Sequence, residues 1–370
     1  MGAHHHLETA PDINWNRCPR SRGIRNGAAS VPPGTGTGAM CRAAWAVPSL
    51  AANWTHSTPV LPRSFAMPTG RAGPLPYLLL AFAPLTWAGN VIVGRALADS
   101  VDPVTINVIR WGGAALILAL FCGRGLWTYR AEIRQHWKII SGLGVCGMAL
   151  FHLLQYTALQ STTALNVSLI TAMTPLYVVL LAWAISGDPL DLRRSLGVGL
   201  SIVGAVVIVA KGDLGNLLRL EVQPGDLIQI IGLVFWALYC VLLRYRPASI
   251  PPLTLLLASI LPGLAVSLAA YPLVTPQLDW SREVGLGFLY LCVFPSALAY
   301  IAWGAGVKVL GAQMAGIFTN LLPVYGAVLA VTLLGEPIRP YHLTAAILVA
   351  IGIWVASRPV PATAGLRAGS

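Results

Sequence analysis

The chain has 370 residues, of which 56% are hydrophobic and only 10% carry a charge. A soluble globular protein carries about 25% charged residues, so water is not the solvent for most of this surface. That excludes a soluble enzyme, a nucleic-acid reader and a disordered scaffold. The six cysteines, Cys18, Cys41, Cys122, Cys146, Cys240 and Cys292, include no CxxC pair. They spell neither a zinc site nor a disulfide framework.

Residues 1–73 hold eight Gly, eight Pro, seven Arg and two acids, without a sustained apolar run. This is the composition of a disordered extension. Ala43 to Ala52 follows Arg42 and resembles the core of a signal peptide, although Pro48 interrupts it. An Arg-rich, acid-poor leader also suits an organellar transit peptide. The preferred expectation is a cytoplasmic extension, with the working protein beginning near Met67. His4–His6 is too short to argue a metal site, and the sequon Asn53-Trp54-Thr55 is discounted on a cytoplasmic tail. No cofactor or metal is expected.

From Pro74 onward the sequence is almost continuously apolar, and spans of ~20 residues divide it into ten. The runs fall at about 75–97, 104–122, 137–157, 162–185, 195–210, 225–243, 253–274, 284–303, 313–334 and 341–357. Turn chemistry marks the breaks, as at Asp102-Pro103, Gly187-Asp188-Pro189, Gly212-Asp213, Pro251-Pro252 and Gly335-Glu336-Pro337. With the N-terminus inside, the inner loops and the tail carry eleven Lys and Arg against five on the opposite side. Both termini are therefore expected in the cytoplasm. The net charge of +11 is accounted for by this orientation and by attraction to anionic lipid. The bilayer is the expected partner, not nucleic acid.

The two halves repeat. A shift of 148 matches Ala164 with Ala312, Thr171 with Thr319, Pro175 with Pro323, Tyr177 with Tyr325 and Gly204 with Gly352. Earlier in each half, a shift of 149 aligns Trp87-Ala88 with Trp236-Ala237. The expected organisation is an extension (1–73), a first repeat (74–211), a second repeat (212–357) and a cytoplasmic tail (358–370). Each repeat holds five spans, and an odd number of crossings makes the second copy enter from the opposite face. The expected fold is thus an all-α polytopic membrane protein of ten transmembrane helices, as two inverted five-helix repeats. Inverted repeats suit alternating access, which points to a transporter.

The first span carries Trp87-Ala88-Gly89-Asn90 and Gly94-Arg95, and the second carries Arg110. The fourth runs from Asn166-Val167-Ser168 to Thr174-Pro175, and the sixth opens Gly225-Asp226-Leu227 and continues through Trp236-Ala237-Leu238-Tyr239. The ninth closes on Leu334-Gly335-Glu336-Pro337. Together, over about residues 74–357, these features resemble EamA-type members of the drug/metabolite transporter superfamily. One departure is Asp188, where family members usually have Glu. The resemblance implies a carrier in the bacterial inner membrane for small metabolites, amino acids or drug-like compounds, often an exporter.

All thirteen acids lie in the tail, a loop or a span end, which argues against a mid-membrane carboxylate relay. Neither HExxH, GxSxG nor an ATP-binding loop occurs. Uncharged polar positions matched by the repeat are the candidates for binding substrate. His152 aligns with Tyr300, and Asn90 with Tyr239 one turn beyond Trp87 and Trp236. Gln155 and Tyr156 share the face of His152. Asn320 is the deeper of the pair Gln313 and Asn320. His152 suits a proton carrier, a neutral substrate ligand or a satisfied packing residue. For Asn90, Tyr239 and Tyr300 the alternatives are cavity lining and helix-to-helix hydrogen bonds. Arg110 lies six residues into its span, about 9 Å deep. It either snorkels or pairs with a helix end, or attracts an anionic substrate. Pro175 and Pro323 suit hinges or gates, or static kinks. Gly142-x-Gly144-x-x-Gly147 matches a dinucleotide fingerprint by letters only, and inside an apolar span it reads as helix packing.

The expected function is a secondary transporter of a small molecule, with efflux implied by the resemblance. Carriers of larger sugar-nucleotide or lipid-linked substrates are a neighbouring alternative. From other classes come a membrane-embedded lipid-modifying enzyme and a non-transporting sensor. The glycine-rich spans permit packing within one chain or in a homodimer.

Overall fold

The computed structural model of the protein describes residues 73–187, 192–213, 215–216 and 222–357. The expected N-terminal extension, the tail 358–370 and the turn at Asp188-Pro189 lie outside the described residues, as does the side chain of Gln313.

Among the described residues, besides a short helix at Arg130–Gln135, ten helical rods follow one another: α1 (Leu75–Leu97), α2 (Pro103–Thr128), α3 (Trp137–Leu159), α4 in two segments (Ala164–Thr171 and Thr174–Ser186), α5 (Leu192–Val209), α6 (Pro224–Tyr245), α7 (Pro252–Leu273), α8 (Arg282–Gly311), α9 (Met314–Leu334) and α10 (Pro340–Ser357). Seven are long and apolar enough to cross a membrane alone, and α4 adds an eighth as a pair bent by 43°. The remaining two, α5 and α10, are shorter apolar helices that pack on each other. This is an all-helical membrane protein. Leu120, Phe121 and Leu116 on α2 are largely exposed, as side chains solvated by lipid would be.

Local chemistry sets the ends of the rods. Asp102 caps α2 by accepting from the amides of Val104 and Thr105, Thr163 caps α4, and Ser281 caps α8. Gly187 and Gly335, equivalent in the repeat, end α4 and α9 in the left-handed conformation at φ +69° and +66°. Gly311, at φ +83°, separates α8 from α9.

The contacts follow the repeat. Helix α1 packs on α8 and α9, as its counterpart α6 packs on α3 and α4. Helices α2 and α7, α4 and α9, and α5 and α10 pair with their own counterparts. Exchanging each helix for the one five places later maps this scheme onto itself. Between α5 and α10, Gly204 lies against the carbonyl of Ala345 and Gly352 against that of Gly197. The glycines of α3 pack helices too, Gly144 on α7 and Gly147 on the ring of Tyr239.

Two features were not expected from sequence. Both third helices widen into a π turn at matching places, Gly144–Leu150 in α3 and Phe294–Leu298 in α8. The carboxylate of Glu336 reaches across to the first turn of α4, accepting from the amides of Ala164 and Leu165 at 2.8 Å each. It satisfies two N–H groups that a helix start leaves unpaired. Glu336→Ala is expected to cost about 0.5–2 kcal/mol, read as a lowered melting temperature in detergent, with Glu336→Gln losing less.

Candidate functional site

The chemistry gathers where α1, α2, α3, α6 and α8 meet. Arg110 on α2 is 1% exposed, so it does not snorkel. Its Nε donates to Ser296 Oγ on α8 at 2.6 Å, and its Nη1 donates to the Tyr156 hydroxyl on α3 at 3.1 Å. Tyr156 donates in turn to Asn90 Oδ1 at 2.6 Å, and Asn90 Nδ2 donates to Gln155 Oε1 at 3.1 Å. No carboxylate lies within ion-pair distance of Arg110 among the described residues; the one ion pair found there joins Arg95 and Asp99 on the surface. A buried guanidinium is normally paired. Here its partners are neutral.

Aromatic rings surround this chain of bonds. The Arg110 guanidinium stands 4.6 Å from the centre of the Trp111 ring. Trp111 meets His152 edge-on at 5.4 Å between centroids and approaches Tyr300 at 6.4 Å. Trp87 packs on Tyr300 at 5.6 Å and on Trp303 at 5.4 Å. Trp236 stacks on Tyr239 at 5.0 Å and meets His152 at 6.4 Å. The indole N–H of Trp111, wholly buried, makes no hydrogen bond among the described residues.

The π turns position two of these side chains. His152 Nδ1 lies 2.7 Å from the carbonyl of Gly147. A carbonyl only accepts, so Nδ1 carries the hydrogen and neutral His152 keeps a lone pair on Nε2. At the equivalent place in α8, the carbonyl of Pro295 accepts from Trp87 Nε1 at 3.1 Å. In a π turn the N–H pairs one residue further back, and side-chain donors meet the displaced carbonyls in both repeats.

The structure thus brings together Trp87, Asn90, His152, Gln155, Trp236, Tyr239 and Tyr300. Asn320 stands apart, exposed at the break between Thr319 and Leu321. Pro175 is the second residue after the bend in α4, and Pro323 follows the matching break in α9. Sequence reasoning missed Trp111 and Ser296 as members of the site. Trp111 adjoins Arg110 in sequence, which was a usable signal; Ser296 offered none.

Among known proteins, the model of the EamA-like transporter family matches residues 74–210 and again 223–358. The chain belongs to the EamA-like transporter family. It is a multi-pass membrane transporter with two EamA repeats, not an enzyme. It is similar to the uncharacterized transporter YyaM of Bacillus subtilis (strain 168), 29% identical over 284 residues, 76% of this chain and 92% of that one. The aromatic amino acid exporter YddG of Ancylobacter novellus is 25% identical over 68% of this chain and 87% of its own. A probable terminal-alkyne amino-acid exporter of Streptantibioticus cattleyicolor is 24% identical over 75% and 92%. A solved crystal structure superposes with a TM-score of 0.52 at 21% identity, covering 76% of this chain and 96% of that one. That likeness concerns the fold of this EamA protein.

Proposed function

We propose that this EamA protein is a secondary transporter for small carboxylated molecules with an apolar or aromatic body, amino acids foremost. It works by alternating access in the bacterial inner membrane, with both termini cytoplasmic, and in the direction of efflux. The observation that carries the substrate class is the buried guanidinium of Arg110, whose partners among the described residues are neutral. A substrate carboxylate supplies the missing negative charge, and the unpaired indole N–H of Trp111 is a second donor beside it. The free lone pair of His152 Nε2 suits an ammonium group, and the rings of Trp87, Trp236 and Tyr300 suit the apolar body. One guanidinium fits one carboxylate. The diphosphate of a sugar nucleotide finds no second buried Arg or Lys among the described residues. Efflux is supported by the two amino-acid exporters among the relatives.

The test is competition in proteoliposomes loaded for counterflow with labelled phenylalanine, leucine and tryptophan. The unlabelled acids should compete, whereas phenylalaninamide and 2-phenylethylamine should not. Equal competition by acid and amine overturns carboxylate recognition. Failure of all three labelled compounds to exchange overturns the amino-acid class.

A further inference from the structure

We propose that Asp226 is a proton-binding site that governs the outer gate. The inference rests on the alternating-access reading and its orientation, and not on the substrate. With the termini inside, the start of α6, the start of α4 and the turn between α9 and α10 all lie at the outer end. Asp226, in the first turn of α6, is 0% exposed. Thr162 donates to one of its oxygens, and Asn166 Nδ2 donates to both, at 3.1 and 3.2 Å. Asn166 Oδ1 in turn accepts from His342 Nε2 on α10 at 3.0 Å, because His342 Nδ1 is engaged by the Arg339 amide at 3.0 Å. Thr162 and Asn166 also reach the amide oxygen of Gln223, at 3.0 and 3.5 Å. This knot ties α4 to α6, across the two repeats.

The other charged or titratable groups of this neighbourhood are Lys211 at the end of α5, Glu336 and Arg339 in the turn before α10, and Tyr341 on α10. None forms an ion pair with Asp226 among the described residues. The carboxylate is therefore held by hydrogen bonds from neutral groups that a moving helix takes away.

The residues that the repeat matches to the knot do not reproduce it. The repeat places Tyr77 opposite Asp226, Leu310 opposite Thr162 and Met314 opposite Asn166. No carboxylate is among them, and the hydroxyl of Tyr77 is the one polar side-chain group. Burial follows the same division. Every residue from Ala164 to Ile170 in α4 is buried, while on the matching turn of α9 Gly316 is exposed and Ile317 is 60% exposed. The outer loops are also joined, Asp102 N–H to the Gln277 carbonyl and Asp279 N–H to the Ser100 carbonyl. These bonds tie the outer end together.

Opening the outer end separates α4 from α6 and brings outer water to Asp226. A proton from that water forms an O–H bond on the carboxylate, and the bonds from Thr162 and Asn166 become neutral ones. Charge-assisted hydrogen bonds are about twice as strong as neutral ones. The protonated knot is weaker, so external acid favours the open gate, and closure returns the proton to water.

The experiment uses the full chain with its six cysteines replaced and a reporter, Thr171→Cys, on α4 inside the gate. A membrane-impermeant maleimide is added outside right-side-out vesicles. Rates are divided by those of Thr275→Cys, an exposed outer-loop position, so that thiol ionisation cancels. Lowering the outer pH from about 8 to about 5.5 should raise the ratio about tenfold. Asp226→Asn should label at the faster rate at both pH values. Thr162→Val, which keeps the carboxylate, should label faster at high pH and still respond to acid. It serves as the second arm if Asp226→Asn folds poorly. Labelling that ignores pH in the parent, or an undiminished pH response in Asp226→Asn, overturns the proton site and leaves alternating access standing. Absence of labelling in every variant at both pH values overturns the gate orientation beneath it.

Discussion

Arg110→Gln should raise the half-saturation concentration for a carboxylated substrate by about 10- to 150-fold. This corresponds to one hydrogen bond to a charged group, worth about 1.5–3 kcal/mol. The matching amide should be affected little. Arg110 bonds to Tyr156 and Ser296 and stands against the Trp111 ring, and among the described residues no carboxylate balances its charge. Gln retains a donor for one of the two hydroxyls but removes the cation. Arg110→Lys keeps the charge without the planar fork and should fall between the two. A loss shared equally by acid and amide, together with a lowered melting temperature, would assign Arg110 to holding α2 against α3 and α8. The comparison between substrates separates recognition from packing, because a loosened bundle does not distinguish an acid from its amide.

Gly144→Ala and Gly263→Ala should each lower stability by about 1–3 kcal/mol, the usual cost of forcing a methyl group into a packed contact. At Gly144 the new methyl overlaps the Ser259 carbonyl and stands 3.0 Å from the Gly263 nitrogen. At Gly263 it stands 2.7 Å from the Gly144 carbonyl oxygen and from Met148 Cβ. Backbone is met on both sides, so rotation of a side chain gives no relief. Because the two sites share one contact, the double variant should depart from additivity. Gly112→Ala is the control. A methyl there meets nothing within 4 Å, and the change to Ala inside a helix should be neutral or gain up to about 1 kcal/mol. Melting in detergent of these four variants beside the parent reads the differences directly.

The helices and the repeat were legible because membrane solvation leaves long apolar runs and because Gly187 and Gly335 stop equivalent helices in the same way. Residues with a partner in the repeat, such as Trp87 with Trp236 and His152 with Tyr300, could be picked out as a set. Arg110 was harder. Depth along a helix measures how far a side chain must reach for water, and says nothing of a serine 186 positions away that offers it a bond. Asp226 reads as a span-end acid, yet Gly225 lets α6 press against the carbonyl of Ala158, and the side chain is sealed under Thr162 and Asn166. The π turns left no trace in residue type. Gly144 opens one, Phe294 and Pro295 open the other, and neither composition demands the wider turn.

The bond from Trp87 to the Pro295 carbonyl bears on how the protein is assembled. Within hydrocarbon, a backbone carbonyl without a donor costs several kcal/mol, and α8 obtains this donor from the opposite repeat. During synthesis α1 enters the bilayer first and waits, its indole available, while most of the chain is still to be made. The second repeat is completed only by docking on the first. Two halves produced as separate polypeptides would each carry an unfinished surface, so joining them in one chain ensures that the donor is present when α8 arrives.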